Sequence, residues 1–222
     1  MPRTSDKRMQ LIQAADTLFH RKGFERSTIA DVAAFAEVPV GNVYYYFKTK
    51  EDLVAAVTHL RNETTARWLL DLDRFPSARE RLRLFVARFE TLVESRLAHG
   101  CPTGGLCLET NKIGGAVAEQ AAIAFQNSLA WLESQFGALG RKRKQAKEDA
   151  ARIVGGLQGA ILLTNTLKDP AFMLNEVRRL EEWLDTLPES GASLSKKQTT
   201  GPAVAGPKRL PSRGAKRKGI LK

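Results

Sequence analysis

The sequence predicts an all-α protein, and three features of its pattern favour that class. Apolar residues recur every three or four positions along most of residues 7–187, as they do on one face of a helix. No segment alternates apolar and polar residues as a half-buried strand does, and glycine or proline separates successive apolar runs. The 222 residues are 43% hydrophobic and 27% charged, which is enough apolar surface for a buried core.

The boundaries of the expected helices follow from local signals. Gly23 stands after the first helix as a C-terminal stop, and Thr28 precedes the second with Asp31 three residues on, close to a capping box. No apolar run reaches the length of about 18 residues that spans a bilayer, so no membrane helix is expected. Nine helices are expected, over residues 7–22, 29–36, 40–47, 50–73, 77–98, 106–111, 115–138, 145–168 and 171–187.

The turn between the second and third helices runs from Glu37 to Pro39. Proline is tolerated where a helix starts. Glutamate adopts a positive φ only at a cost in free energy. We therefore expect Glu37 to keep ordinary helical or bridge backbone angles.

The net charge of +11 is concentrated at the C-terminal end of the chain. Residues 188–222 contain nine Lys or Arg against one Asp or Glu, whereas residues 51–187 contain 18 of each. The last segment has no aromatic residue and is rich in glycine and proline, which predicts a disordered basic tail. Such a tail either contacts polyanions such as nucleic acid loosely or is simply solvated. The expected organisation is a three-helix unit over 1–52, a larger helical domain over 53–187 and this tail.

The three helices within residues 7–47 have the layout of a helix-turn-helix DNA-binding unit, whose last helix enters the major groove. Val43 and Phe47 are four residues apart and can face a core, so Asn42 and the tyrosines at 44–46 cannot all be buried with them. Phenol hydroxyls bind phosphates, and an asparagine amide binds phosphates or base edges. A three-helix subdomain that binds no DNA would have the same layout, so the layout alone leaves that alternative open.

Two segments resemble the signature of the tetracycline-repressor (TetR) family of transcriptional regulators: TIADVA at 28–33 and VPVGNVYYYFKTKEDL at 38–53. The resemblance covers about residues 7–53 in residue type, spacing and distance from the N-terminus. The later helices fit the family's ligand-binding and dimerisation domain in number and length only. Glu37 stands where a turn glycine is usual in the family, and Pro39 stands where a capping serine or threonine is usual.

The resemblance implies a homodimeric, cytoplasmic regulator that binds a palindromic operator in double-stranded DNA, most often as a repressor released by a small molecule. Asn42 would be the best candidate for reading a base edge, while Thr28 and Lys50 would contact the DNA backbone. The residues that it implies for DNA binding are Thr28, Val40, Gly41, Asn42, Tyr44, Tyr45, Tyr46 and Lys50.

Apolar stripes on the helices 145–168 and 171–187 are typical of a four-helix bundle to which each of two chains contributes two helices. The same stripes are also able to pack within one chain. With the resemblance, we expect a homodimer through these two helices.

Aromatic residues between the fourth helix and this bundle form a candidate ligand pocket. They are Trp68, Phe85, Phe89, Phe125 and Trp131. Aromatic stripes at helical spacing more often belong to a core than to a ligand site, and no acidic or histidine cluster accompanies these to indicate a charged ligand.

The two cysteines differ in their sequence surroundings. Cys101 lies between Gly100 and Pro102, which predicts a turn, while Cys107 lies among leucines and is expected to be buried. Both are readily interpreted as inert apolar residues. Cys101 is also a candidate thiol sensor, if a helix N-terminus or a nearby cation stabilises its thiolate. The Gly100-Cys101 pair, with the turn and tyrosines at 37–47, is similar to the cysteine-based, electrophile-sensing branch of the family.

The sequence does not favour an enzyme, a cofactor or a metal site. It has no phosphate-binding glycine loop after a strand and no histidines at metal-binding spacing, and His99 with two thiols is too small a set for a structural zinc site. A sequence-independent, architectural DNA-binding protein is disfavoured by the balanced charge of 51–187. Asp6, Gln10 and Asp16 stand where a secretory signal would be apolar, so the cytoplasm is the expected compartment.

Overall fold

The computed structural model describes residues 4–188, and this range is helical apart from short connections. A 3₁₀ turn, Glu90–Leu92, lies between α5 and α6. The all-α class is thereby confirmed for the described residues, whereas the predicted basic tail lies outside them from residue 189 onward. The helices are α1 (Thr4–Lys22), α2 (Ile29–Phe35), α3 (Val40–Tyr46), α4 (Lys50–Leu72), α5 (Ala78–Ala87), α6 (Val93–His99), α7 (Pro102–Ile113), α8 (Gly115–Ala138), α9 (Arg143–Leu167) and α10 (Ala171–Thr186).

The stretch predicted as one helix over 77–98 is interrupted at its centre. The amides of Phe89 and Leu92 donate to the carbonyls three residues earlier, at distances of 3.0 and 3.1 Å, as in a 3₁₀ helix. Residues three apart lie above one another in a 3₁₀ turn, so Phe89 and Leu92 face the same interior cavity. Apolar spacing alone did not distinguish this tighter turn from a continuous α-helix.

The helix predicted over 106–111 is longer and starts earlier, at Pro102. Cys101 is its N-cap, and the Cys101 Sγ atom accepts a 3.3 Å hydrogen bond from the Gly104 amide. Proline is well suited to the first helical position because its missing N–H would have no partner there. The glycines at 104 and 105 suggested a loop, but the helix includes them.

The expectation for Glu37 is wrong, because Glu37 has a φ of 55° in the left-handed region. The Glu37 amide donates to the Ala34 carbonyl at 3.1 Å, and the Val38 amide donates to the Ala33 carbonyl at 3.0 Å. These are the two hydrogen bonds of a Schellman motif, which satisfy the last carbonyls of α2. Val38 then packs against the apolar core, so tertiary packing and helix termination together outweigh the local preference of glutamate.

The buried apolar residues form two clusters. The N-terminal core comprises residues of α1–α4 together with Leu106 of α7, and the C-terminal core joins the end of α4 to α5 and α8–α10. α4 supplies Leu53 and Val57 to the first and Leu69 to the second. Each buried side chain of this size contributes about 1.5–3 kcal/mol. α4 and α7 thus connect the N-terminal helices to the rest of the fold.

Among the described residues, no helix is both long and apolar enough to cross a membrane.

Candidate nucleic-acid interface and ligand cavity

The helix α3 has one buried face and one exposed face. Val43 and Phe47 are buried in the N-terminal core, as their spacing predicted. Tyr44 is 48% exposed and Tyr45 is 70% exposed, and Val40 at the start of the helix is also exposed. Two large aromatic side chains are exposed on the solvent side of a seven-residue helix, which is the arrangement expected of a contact surface.

The first turn of α3 is open and uncapped by any side chain. Pro39 is the N-cap, and its carbonyl accepts a 2.9 Å hydrogen bond from the amide of Asn42. Gly41 is exposed, and a Cβ atom added there would meet nothing within 4 Å. The fold itself therefore has room for a side chain at position 41. A glycine is needed there only if another molecule approaches this turn closely. Asn42 is half-exposed beside it.

Tyr46 differs from the two tyrosines before it. Its side chain is half-buried and packs against the N-terminal core. The Tyr46 ring also meets the Tyr45 ring edge to face, with the ring centroids 4.9 Å apart. Tyr46 therefore supports the orientation of Tyr45 as well as presenting an edge to solvent.

Thr28 begins α2 through a complete capping box with Asp31. The Asp31 amide donates to Thr28 Oγ1 at 3.0 Å, and the Thr28 amide donates to Asp31 Oδ2 at 2.9 Å. Lys22 forms an ion pair with Asp31 at 3.3 Å. The hydrogen bonds from Thr28, with the Lys22 ammonium, hold the pKa of Asp31 below its usual value. Since Thr28 Oγ1 accepts the capping hydrogen bond, its own O–H is left to donate to an incoming acceptor.

The two lysines at the start of α4 are held by the protein itself. Lys50 Nζ donates to the Glu25 carbonyl at 3.1 Å and lies 4.3 Å from the centroid of the Phe24 ring. Lys48, which the sequence analysis did not select, donates to the Tyr44 carbonyl at 2.9 Å. Lys48 follows the C-terminus of α3 by two residues, and the unpaired carbonyls at a helix C-terminus favour a positive charge. This position in the sequence is the signal that could have identified Lys48.

An interior cavity of about 150 Å³ lies between α4, α5, α8 and α9. Four of the five aromatic residues selected from the sequence line it: Trp68, Phe85, Phe89 and Phe125. The fifth, Trp131, does not line it but stacks on Phe85 with the ring centroids 5.7 Å apart. Its indole N–H donates to Asp73 Oδ1 at 2.9 Å.

Two arginines that the sequence analysis missed, Arg88 and Arg96, also line this cavity. The Arg88 guanidinium lies 4.3 Å from the centroid of the Trp68 ring. Burial lowers the pKa of both arginines from the usual value for the guanidinium. Arg88 lies three residues after Phe85, and Arg96 lies seven residues after Phe89. This helical spacing is the signal that could have placed the two arginines on the same face as the two phenylalanines.

The two thiols have different environments. Cys101 is the half-buried N-cap of α7 and borders both the cavity and a wider recess of about 530 Å³ between α7 and α9. Cys107 Sγ donates a 3.2 Å hydrogen bond to the Ala121 carbonyl. Burial raises the pKa of the Cys107 thiol, and the charge of Cys101 adds to this effect. No group of three metal-binding side chains occurs among residues 4–188.

The apolar stripes of α9 and α10 identified from the sequence are buried within the chain, including Leu157, Ile161 and Val177. A different face of α9 remains exposed, with Leu162 64% accessible and Leu167 57% accessible. Large apolar side chains grouped on one helix face are typical of a surface that another molecule covers.

The fold and the exposed face of α3 define a helix-turn-helix protein of the kind whose last short helix reads DNA. Residues 11–57 match the family of bacterial regulatory proteins known as the tetR family, and residues 78–179 match the C-terminal domain of LmrA/YxaF-like transcriptional regulators. The chain belongs to the TetR family of bacterial regulatory proteins.

Relatives with similar sequences or structures agree with this assignment. The transcriptional regulator TtgR of Pseudomonas putida is 39% identical over 59 residues, which are 27% of this chain and only 28% of that protein. LmrA of Bacillus subtilis is 22% identical over 173 residues, or 77% of this chain and 92% of LmrA. The crystal structure of a TetR regulator from Legionella pneumophila shares the fold, with a TM-score of 0.73 at 21% identity, covering 79% and 96% of the two chains.

Proposed function

We propose that the protein is a homodimeric, sequence-specific DNA-binding repressor that a small molecule releases from a palindromic operator. The observation that carries this proposal is the two-sided helix α3. Its buried face holds Val43 in the core, while Asn42, Tyr44 and Tyr45 are presented on the other side. A short helix of this kind enters the major groove, and its polar side chains contact base edges and phosphates.

Each exposed residue of the interface has a role suited to its chemistry. Asn42 donates to and accepts from a base edge, and Tyr44 binds a phosphate. Tyr45 and Tyr46 contact sugar, phosphate or a thymine methyl group. Val40 and Gly41 form the first turn of α3, where a missing side chain at Gly41 lets the DNA approach closely.

Two further groups contact the DNA backbone. Thr28 donates its hydroxyl to a phosphate from the start of α2. Lys50 presents its backbone amide at the start of α4, where the helix N-terminus favours an anion. Its ammonium binds DNA after leaving the Glu25 carbonyl and the Phe24 ring.

The dimer forms through α9 and α10. The buried stripes hold these helices against their own chain, and the exposed leucines of α9 supply the apolar surface for a second copy. Two copies related by a twofold axis present two α3 helices to the two halves of a palindrome. The chain divides into a DNA-binding unit over 1–52 and a ligand-binding and dimerisation domain over 53–187. Two separate apolar cores support two units, and Leu53, Val57 and Leu106 of the second unit pack in the first core.

The small molecule binds in the cavity lined by Trp68, Phe85 and Phe89. Its effect reaches the DNA-binding unit through the first turn of α7. Pro102 borders the cavity, and its carbonyl accepts a hydrogen bond from Arg61. Arg61 also forms an ion pair with Asp16 of α1. A ligand that displaces Pro102 would therefore move Arg61 and, through it, α1.

Thiol modification is a second means of release, and the position of Cys101 favours it. The Cys101 Sγ atom lies at the N-terminus of α7 and accepts the Gly104 amide. It also borders the cavity that Arg96 lines. A reagent that enters the cavity would therefore reach the sulfur of Cys101 directly.

Selection from a randomised duplex library by the full-length protein tests the DNA-binding proposal. We expect an enriched palindrome, and Asn42→Ala should weaken its binding by about 1–3 kcal/mol while binding to scrambled DNA changes little. Asn127→Ala, on α8 and away from the interface, the cavity and the proposed dimer helices, is the matched control and should bind as the wild type does. Equal binding to every duplex would favour an architectural protein, and no binding would favour another class, including an enzyme.

A further inference from the structure

The cavity lining includes two arginines, Arg88 and Arg96, and no carboxylate among the described residues. The Nε atom of Arg96 is shielded from solvent and has no hydrogen-bond partner among the described residues. A guanidinium N–H that is shielded from water and has no hydrogen-bond partner costs free energy, and partial burial accordingly lowers the pKa of Arg96. An anion bound at this point would remove that cost.

The wall of the cavity is flat and aromatic. Trp68 and Phe85 stack with their ring centroids 4.8 Å apart and their planes 25° from parallel. Phe89 lies beside them, with its ring centroid 6.0 Å from that of Phe85. Both faces of Phe85 are covered, by Trp68 and by Trp131, so a planar ring in the cavity meets the edges of these residues, and edge-to-face contact is one of the arrangements that aromatic pairs favour.

The volume of about 150 Å³ limits the size of the occupant. A cavity of about 150 Å³ with an apolar lining holds one benzene ring. The side chains of Thr103, Ser128 and Gln158 also line the cavity and supply hydrogen-bonding groups around a small polar substituent.

We infer that the cavity binds a single-ring aromatic carboxylate, with the ring against Trp68 and Phe85 and the carboxylate on Arg96, with Arg88 adjacent. Guanidinium and carboxylate groups match in geometry and form paired, charge-assisted hydrogen bonds. A neutral ring would leave Arg96 unpaired, and a cationic one would be repelled. This inference rests on the proposed function, since it names the class of small molecule that acts at the proposed ligand site.

Direct titration of the full-length protein with benzoate tests the inference, with quenching of tryptophan fluorescence and calorimetry as readouts. Benzamide has the same shape without the charge, and benzylammonium reverses the charge. We expect benzoate to bind about ten- to a hundredfold more tightly than benzamide, the range of one charged hydrogen-bonded pair, and benzylammonium not to bind. Equal affinity for benzoate and benzamide, or no binding of benzoate, would overturn the inference.

Variants of Arg96 test whether this arginine binds the carboxylate. Arg96→Gln should lower benzoate affinity by at least about tenfold and leave benzamide unchanged, whereas Arg74→Gln, exposed after the end of α4, should change neither. Arg96→Lys retains the charge, so it serves if Arg96→Gln fails to fold, and it should weaken benzoate binding because the paired geometry is lost. Wild-type affinity in the folded Arg96 variants would overturn the assignment.

DNA binding is measured separately on the duplex selected from the library. Benzoate binding by a protein that recognises no DNA would overturn the proposed function and leave this inference standing. Sequence-specific DNA binding without benzoate binding would support the proposed function and overturn this inference.

Discussion

The backbone amide of Glu25 donates a 2.7 Å hydrogen bond to Glu109 Oε2, which ties the loop after α1 to α7. The same helix begins at Cys101 and Pro102, which border the ligand cavity. Near its middle, Leu106 enters the N-terminal core. α7 is therefore attached to the proposed DNA-binding unit by a hydrogen bond and by apolar packing, and to the cavity by its first turn.

Removing the Glu109 carboxylate should loosen this attachment. Glu109→Ala is expected to lower the free energy of unfolding by about 1 kcal/mol, because a charged but partly exposed hydrogen bond is lost. Glu109→Gln keeps an acceptor oxygen and should retain most of the stability, and Glu119→Ala on the exposed side of α8 serves as the control. Urea denaturation measures all three. Identical stabilities of the wild type and Glu109→Ala would mean that the contact contributes nothing in solution.

Glu37→Gly should stabilise the protein. The left-handed φ of 55° strains glutamate by about 1–2 kcal/mol but not glycine, and the greater freedom of glycine in the unfolded chain offsets part of the gain. We expect a net increase of about 1 kcal/mol in thermal or chemical denaturation. Glu37→Ala removes the same charge but keeps Cβ, so it should give no comparable gain. A gain shared by both variants would assign the effect to charge and not to backbone strain.

Gly41→Ala should separate folding from DNA binding. The added methyl group has open space, and alanine is favoured over glycine within a helix by about 0.5–1 kcal/mol, so stability should rise. DNA affinity should fall, since the methyl group would stand between the first turn of α3 and the groove. Gly137→Ala in α8 also has open space and should raise stability without weakening DNA binding. Gel-shift titration measures the DNA affinity of both variants. Unchanged affinity in Gly41→Ala would mean that the DNA does not approach the first turn of α3.

N-ethylmaleimide should modify Cys101 before Cys107. The Cys107 thiol is hydrogen-bonded to the Ala121 carbonyl, and burial raises its pKa, so little thiolate forms there. Mass spectrometry of the modified protein should find the first adduct on Cys101. Release from DNA by the reagent should be lost in Cys101→Ser and kept in Cys107→Ser. If the same dose also released Cys101→Ser from DNA, modification of Cys101 would not be the cause of release, and reversible ligand binding would be favoured instead.

Stability should fall in mildly acidic solution because of His20. Burial lowers the pKa of His20 from the model-peptide value of 6.5, and its Nε2 lies 3.0 Å from the Gly100 carbonyl oxygen. The unfolded chain therefore takes up this proton more readily as the pH falls below about 6.5, whereas above that value the contribution is fully present. Denaturation midpoints across this range should fall more steeply for the wild type than for His20→Gln. His59→Gln changes an exposed histidine and should keep the wild-type dependence.

The sequence predicted the elements whose signals are local. Thr28 and Asp31 form the expected capping box, and Val43 and Phe47 are buried together as their four-residue spacing required. The angles at Glu37 were not predictable from its residue type, since they depend on the burial of Val38 and the termination of α2. The interruption near Phe89 depends on the shape of a cavity that several helices enclose. Arg88 and Arg96 were missed because the pocket was predicted from aromatic residues alone, and an arginine side chain can face a cavity or solvent from the same position.

The two helices that flank α3 in the proposed DNA-binding unit have their ends next to it completed by the protein's own groups. Thr28 with Asp31 and Thr49 with Asp52 close the starts of α2 and α4, and the amides of Glu37 and Val38 close the end of α2. No helix there has to form when DNA arrives. The heat-capacity change of association would therefore reflect the surface removed from water, without the larger contribution of a segment that folds on binding. The association rate would likewise be governed by diffusion and long-range electrostatic attraction rather than by a slow rearrangement.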